Sequence, residues 1–133
     1  MAEVTVHVEA EINPTESEER VKAAVTNFLG NAVITIKPSG KTDTLTAEAK
    51  GQDSLVKLRS ILRTDRIRDA ARKALFHSVR GNTISFCLNK QVAFAGHISF
   101  SEETAESPLG PIRVTIETEN PQQLIEWLAE KTS

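Results

Sequence analysis

The chain has 133 residues, 39% of them hydrophobic and 26% charged, with a formal net charge of −2 and one cysteine. This length suits one domain over residues 1–133, and the composition that of a soluble globular protein. A lone Cys87 excludes an internal disulfide or a cysteine-based zinc cluster within the chain, while the absence of an apolar leader or of ~18 consecutive apolar residues leads us to expect a cytoplasmic protein with no membrane partner.

Val4, Val6, Val8, Ala10 and Ile12 alternate with polar residues. Period two over this length predicts a strand with one wet face. In "PTESEERVKAAVTNFLG", Thr15 and Glu18 have capping-box spacing, and Val21, Ala24, Val25, Phe28 and Leu29 form one helical stripe ending at Gly30. "NAVITIKPSGKTDTLTAEAKG" reads as two strands around a Pro-Ser-Gly turn. Asp53 is placed to cap a second helix, with Leu55, Leu58 and Leu62 inward, and Thr64 a third, with Ile67, Ala71, Ala74 and Leu75 inward. Whether the chain breaks near Arg63 and Thr64 or continues as one helix is left open. "RGN" at residues 80–82 closes the helical region.

In "ISFCLNKQVAFAG", from Ile84, the apolar residues Ile84, Phe86, Leu88, Val92, Phe94, Ile98 and Phe100 are all even-numbered. A hairpin with a three-residue loop, Asn89-Lys90-Gln91, puts them on one face, whereas a two-residue turn would flip the second arm. This arrangement assigns the phenylalanines to the core and argues against a base-stacking sheet. "SEETAESPLGP" reads as an exposed acidic loop, "IRVTIET" as a strand, and Asn120-Pro121 as the cap and first turn of a last helix carrying Leu124, Ile125 and Leu128. The order β-α-β-β-α-α-β-β-β-α predicts an α+β two-layer sandwich, its mainly antiparallel sheet covered by helices on one face.

Charge is unevenly distributed. Residues 57–80 hold eight basic side chains and two acids, leaving eight basic and sixteen acidic residues elsewhere. On a continuous helix, Arg59, Arg63, Arg66, Lys73, His77 and Arg80 would share a side, with Arg68 and Arg72 beside them. Such rows can track phosphates, and the plainer reading is a solvated face with Asp69 paired to Lys73 or Arg66. His7, His77 and His97 lack metal-ligand spacing, Cys87 has no evident base, and no glycine-rich phosphate loop occurs. No catalytic residue, metal or cofactor is therefore expected.

The segments "LRSILRTDRIRDAARKAL", "NTISFCLNKQVAFAGHISF" and "PLGPIRVTIET" resemble an archaeal family of small proteins that carry an RNA-binding label. Some members are also labelled by the neighbourhood of the dephospho-coenzyme A kinase gene. The resemblance runs from about residue 55 to 118, and "DAARKAL" and "LNKQ" are its specific parts. It implies an archaeal cytosolic protein with a fold similar to the 5S-rRNA-binding ribosomal protein of the large subunit. It also draws attention to Arg72, Lys73, Asn89, Lys90 and Gln91. The function expected is a non-catalytic RNA-binding domain. Arg59, Arg63, Arg66, Arg68, Arg72, Lys73 and Lys90 would contact phosphates, with Asn89 and Gln91 offering hydrogen bonds to base or sugar. The alternative is a protein-interaction module, either a homodimer or a partner of a coenzyme A biosynthesis enzyme.

Overall fold

The computed structural model describes residues 3–101 and 110–131. Alternation of apolar and polar side chains builds the sheet. Strands β1 (Val4–Ile12), β2 (Val33–Ser39), β3 (Thr42–Lys50), β4 (Val79–Arg80), β5 (Thr83–Asn89), β6 (Phe100–Ser101) and β7 (Pro111–Thr118) pair antiparallel. The main order is β2-β3-β1-β7-β5-β4, and β6 also pairs with β5. The register lines up apolar rows across the sheet, one of them Ile36, Leu45, Ala10, Ile112, Leu88 and Phe100. His7, Glu9, Thr46 and Thr115 lie on the opposite, wet face, as the alternation of β1 requires.

Helices α1 (Glu18–Thr26), α2 (Val56–Thr64), α3 (Arg68–His77), α4 (Lys90–Phe94) and α5 (Pro121–Leu128) cover the apolar face. The result is the two-layer α+β sandwich expected from the element order. Leu58, Leu62, Leu75, Ile125 and Leu128 are almost fully buried against the sheet. At ~25 cal/mol per Å² of apolar surface, this shared layer is the main stabilising term. Among the described residues no helix is long and apolar enough to cross a membrane.

The helix ends correct several expectations. Thr15 and Glu18 form no capping box: α1 starts at Glu18 after Ser17, whose side chain makes no capping hydrogen bond. Asp53 does not cap α2 either. It lies in a 3-10 turn, Gln52–Leu55, where Ser54 Oγ donates to Gly51 O at 2.7 Å. Thr64 belongs to the last turn of α2 rather than the start of α3. The open question of a break is settled by the backbone: Ile67 N–H donates to Leu62 O at 3.1 Å and Arg66 N–H to Arg63 O at 3.2 Å. This is a Schellman ending with Arg66 in the left-handed position at φ 56°. The basic residues therefore do not form one continuous helical row.

The hairpin expected over residues 84–100 is also corrected. Its first arm is β5, but Lys90–Phe94 is the short helix α4, and the second arm shrinks to Phe100–Ser101. Asn89 Oδ1 accepts from Val92 N–H at 3.0 Å and caps the start. Gly96, at φ 88°, ends α4 as His97 N–H donates to Val92 O at 3.1 Å. Capping at both ends outweighs the parity of the apolar residues, and Phe94 turns outward, 42% exposed. Phe86 and Phe100 keep their predicted place, with ring centroids 5.5 Å apart. The predicted acidic loop falls mainly on residues 102–109, outside the described residues.

Asn120 and Pro121 start α5 as expected, with Asn120 Oδ1 accepting from Gln123 N–H at 3.0 Å. Asn120→Ala is expected to lower the unfolding free energy by about 1 kcal/mol. Asn120→Asp should keep most of the stability, and urea denaturation of both variants checks this.

Candidate nucleic-acid interface

The basic segment folds into two helices that lean on α5, and α5 and the residues just after it supply Glu126 and Glu130 to meet it. Arg59 Nε donates to Trp127 O at 2.9 Å and its Nη2 to Glu130 Oε1 at 2.8 Å. Its guanidinium lies 5.2 Å from the Trp127 ring centroid. Arg68 Nη1 stands 3.8 Å from the other oxygen of Glu130. The hydrogen bond from Arg59 holds the Glu130 carboxyl below the usual carboxylate range, aided by the charges of Arg59, Arg63 and Arg68. Arg59 and Arg68 thus share one carboxylate and Arg63 lines the same small pocket, so guanidinium charge exceeds carboxylate charge in that cluster.

Arg72 grips Glu126 with both terminal nitrogens, one at 2.7 Å, and lies 5.0 Å above the Phe76 ring. The hydrogen bond from Arg72 lowers the Glu126 carboxyl, and the same bond raises the Arg72 guanidinium. Arg59, Arg68 and Arg72 therefore join α2 and α3 to α5. The carboxylates that Arg72 and Arg59 grip lie 54 and 71 positions away in the chain. Arg63, Arg66 and Lys73 remain exposed. The left-handed backbone of Arg66 places it on the turn joining the two helices.

The second group of candidates, Asn89, Lys90 and Gln91, divides three ways. Asn89 caps α4 as described. Lys90 is 4% exposed, and its Nζ donates to Glu11 O at 2.7 Å and Glu16 Oε1 at 3.0 Å. Glu16 also accepts from the Asn13 backbone N–H at 3.0 Å and from Asn13 Nδ2 at 2.7 Å. Burial pushes the Glu16 carboxyl up, but the Asn13 backbone, Lys90 and Asn13 amide hydrogen bonds together hold it below its ordinary value. Gln91 is exposed.

Two residues that sequence reasoning left out of the site meet here. The Arg20 guanidinium lies 5.0 Å from the centroid of the exposed Phe94 ring. Thr15, Glu16, Arg20, Lys90, Gln91 and Phe94 are among the residues lining a cleft of about 380 Å³ between α1 and α4. Asn27 Nδ2 donates to Ala93 O at 2.9 Å and Phe94 O at 3.1 Å, fixing α4 to the end of α1. Just beyond α4, His97 Nδ1 is 2.9 Å from Asp65 Oδ2. That contact joins the α4 loop to the Asp65-Arg66 turn, so the fold brings the cleft and the basic turn to neighbouring parts of the surface. Charge did not single out Arg20, which follows Glu18 and Glu19 in the chain, and Phe94 was hidden by sharing the parity of the core.

A family model described as RNA binding matches residues 5–118. The chain is 42% identical over 130 residues to a UPF0201 protein of Saccharolobus solfataricus, covering 98% of this chain and 90% of the relative. It is 47% identical over 126 residues to a UPF0201 protein of Sulfurisphaera tokodaii, covering 95% and 87%. The crystal structure of the UPF0201 protein from Methanococcus jannaschii superposes with a TM-score of 0.84 at 28% identity, over 97% of this chain and 95% of that one. A DUF54 protein from Methanothermobacter thermautotrophicus shares the fold, with a TM-score of 0.60 at 15% identity over 95% and 97%.

Proposed function

The chain belongs to the archaeal UPF0201 proteins and to the family described as RNA binding, and on that premise we propose that its helix layer docks structured RNA, without catalysis, through phosphate contacts. The observation that supports this most is the placing of Arg59, Arg63 and Arg68 around the small pocket that holds Glu130, with Arg66 exposed on the turn between the helices and Lys73 exposed on α3. Arginine forks match the oxygens of phosphate as they match those of a carboxylate. Glu130 holds this cluster in place in the unbound protein. A phosphate then approaches the outer side of Arg63 and Arg68, where positive charge exceeds negative, and Arg66 and Lys73 extend the track. Net charge of −2 for the whole chain does not prevent this, because local potential governs docking.

Fluorescence anisotropy of a labelled structured RNA, titrated with the protein at several salt concentrations, tests the proposal. Affinity is expected to fall steeply as salt rises, since phosphate contacts release counterions. Glu130→Gln leaves an amide oxygen to accept from Arg59 but removes the negative charge, and should raise affinity about 3-fold, as a charge a few Å from the phosphate in a water-like dielectric contributes under about 1 kcal/mol. Unchanged affinity in Glu130→Gln, with wild type insensitive to salt, would mean that these arginines only brace α5.

A further inference from the structure

We infer that the cleft between α1 and α4 receives one unpaired nucleobase of the bound RNA, stacked on the Phe94–Arg20 pair. This deepens the RNA reading and rests on it. Phe94 is one of three large apolar side chains exposed among the described residues, with Val33 and Val56, and the only one of these that is aromatic. A single exposed ring is unremarkable on any protein surface. Here, however, a guanidinium lies over the ring at 5.0 Å, and the pair borders a cleft of about 380 Å³, within the ~300–1,000 Å³ of small-ligand sites. Aromatic rings and arginine planes are the two surfaces on which unpaired RNA bases stack.

The chemistry of the cleft favours a base over a phosphate. Lys90, the buried cation, is already matched by Glu16 and the Glu11 carbonyl, so the charges of that pair are balanced. Glu18 and Glu19 follow the lining residues Glu16 and Ser17 in the chain and add negative charge to the first turn of α1. A phosphate would meet these carboxylates, while a neutral base would not. Gln91, exposed on the lining, offers both a donor and an acceptor to a base edge. The buried ion pair and the Asn27 bonds fix α1 and α4 together, so the stacking surface is formed before RNA arrives.

The test uses the full chain and two RNAs, a stem-loop with 2-aminopurine in its loop and a fully paired duplex. Wild type is expected to change the 2-aminopurine fluorescence on binding. Phe94→Ala should weaken binding of the stem-loop about 10-fold and abolish the fluorescence change, leaving duplex binding unaltered. Phe94→Trp should restore both. Equal effects of Phe94→Ala on the two RNAs, or no fluorescence change with wild type while salt-sensitive binding persists, would overturn the base site and leave the RNA reading standing. Failure of wild type to bind either RNA would overturn both.

Discussion

Lys90→Met is expected to lower the unfolding free energy by about 3 kcal/mol, because it leaves the Glu16 carboxylate poorly solvated without its cation. The side chains of Lys90 and Glu16 are 4% and 10% exposed, so water can do little to replace the lost partner. Replacing both members, Lys90→Met with Glu16→Leu, should recover part of the loss, since the unpaired carboxylate is gone while Asn13 and the Glu11 carbonyl still lose their bonds. Urea denaturation of the two variants measures this. The pH dependence has a definite sign. The folded-state pKa of Glu16 is depressed, so its contribution is present above the ordinary carboxylate range and is lost as pH falls through the folded value. Without Lys90 the carboxyl titrates higher, so the gap between wild type and Lys90→Met should narrow as the medium becomes acidic. A loss below ~1 kcal/mol at neutral pH would mean that the pair is solvated and braces nothing.

The second large effect concerns binding. Arg63→Glu combined with Arg66→Glu should weaken structured-RNA binding by on the order of 100-fold near 0.1 M salt. Each phosphate contact contributes roughly one decade between 1 M and 0.1 M salt, and two are removed. Both side chains are exposed, so the fold should survive. Glutamate tolerates the left-handed position of residue 66 about as well as arginine does. The contrast with Arg59 and Arg72 is informative. Those two are bound to α5, and charge reversal there would set glutamate against Glu130 or Glu126. Loss of binding in such variants would therefore mix lost contacts with disturbed helix packing.

Much of the sheet could be read from alternation alone. β1 and β7 each put every second residue in the core, and β1, in mid-sheet, is paired on both edges. Asn120 and Pro121 marked the start of α5 because a cap and a fixed φ act locally. The end of α2 was harder to see, since its left-handed position is occupied by Arg66 where glycine is usual. Residues 84–100 misled for a different reason. Val92 and Phe94 share the parity of β5, yet Asn89 and Gly96 cap a single helical turn at both ends. Local capping outweighed the pattern, and with it Phe94 moved from expected core to surface. The basic site was legible in composition but not in its state. Which arginines are bound depends on Glu126 and Glu130, brought in from far along the chain by α5 packing. Nothing in the spacing of residues 57–80 encodes those partners.

The slope of log affinity against log salt, measured for structured RNA with wild type and with Arg63→Glu/Arg66→Glu, decides whether the helix layer binds phosphates. Phosphate binding through Arg63 and Arg66 requires a wild-type slope of about −2 or steeper, with the variant shallower by roughly 1.5. A wild-type slope near zero, or the same slope in both proteins, would contradict phosphate binding by the helix layer.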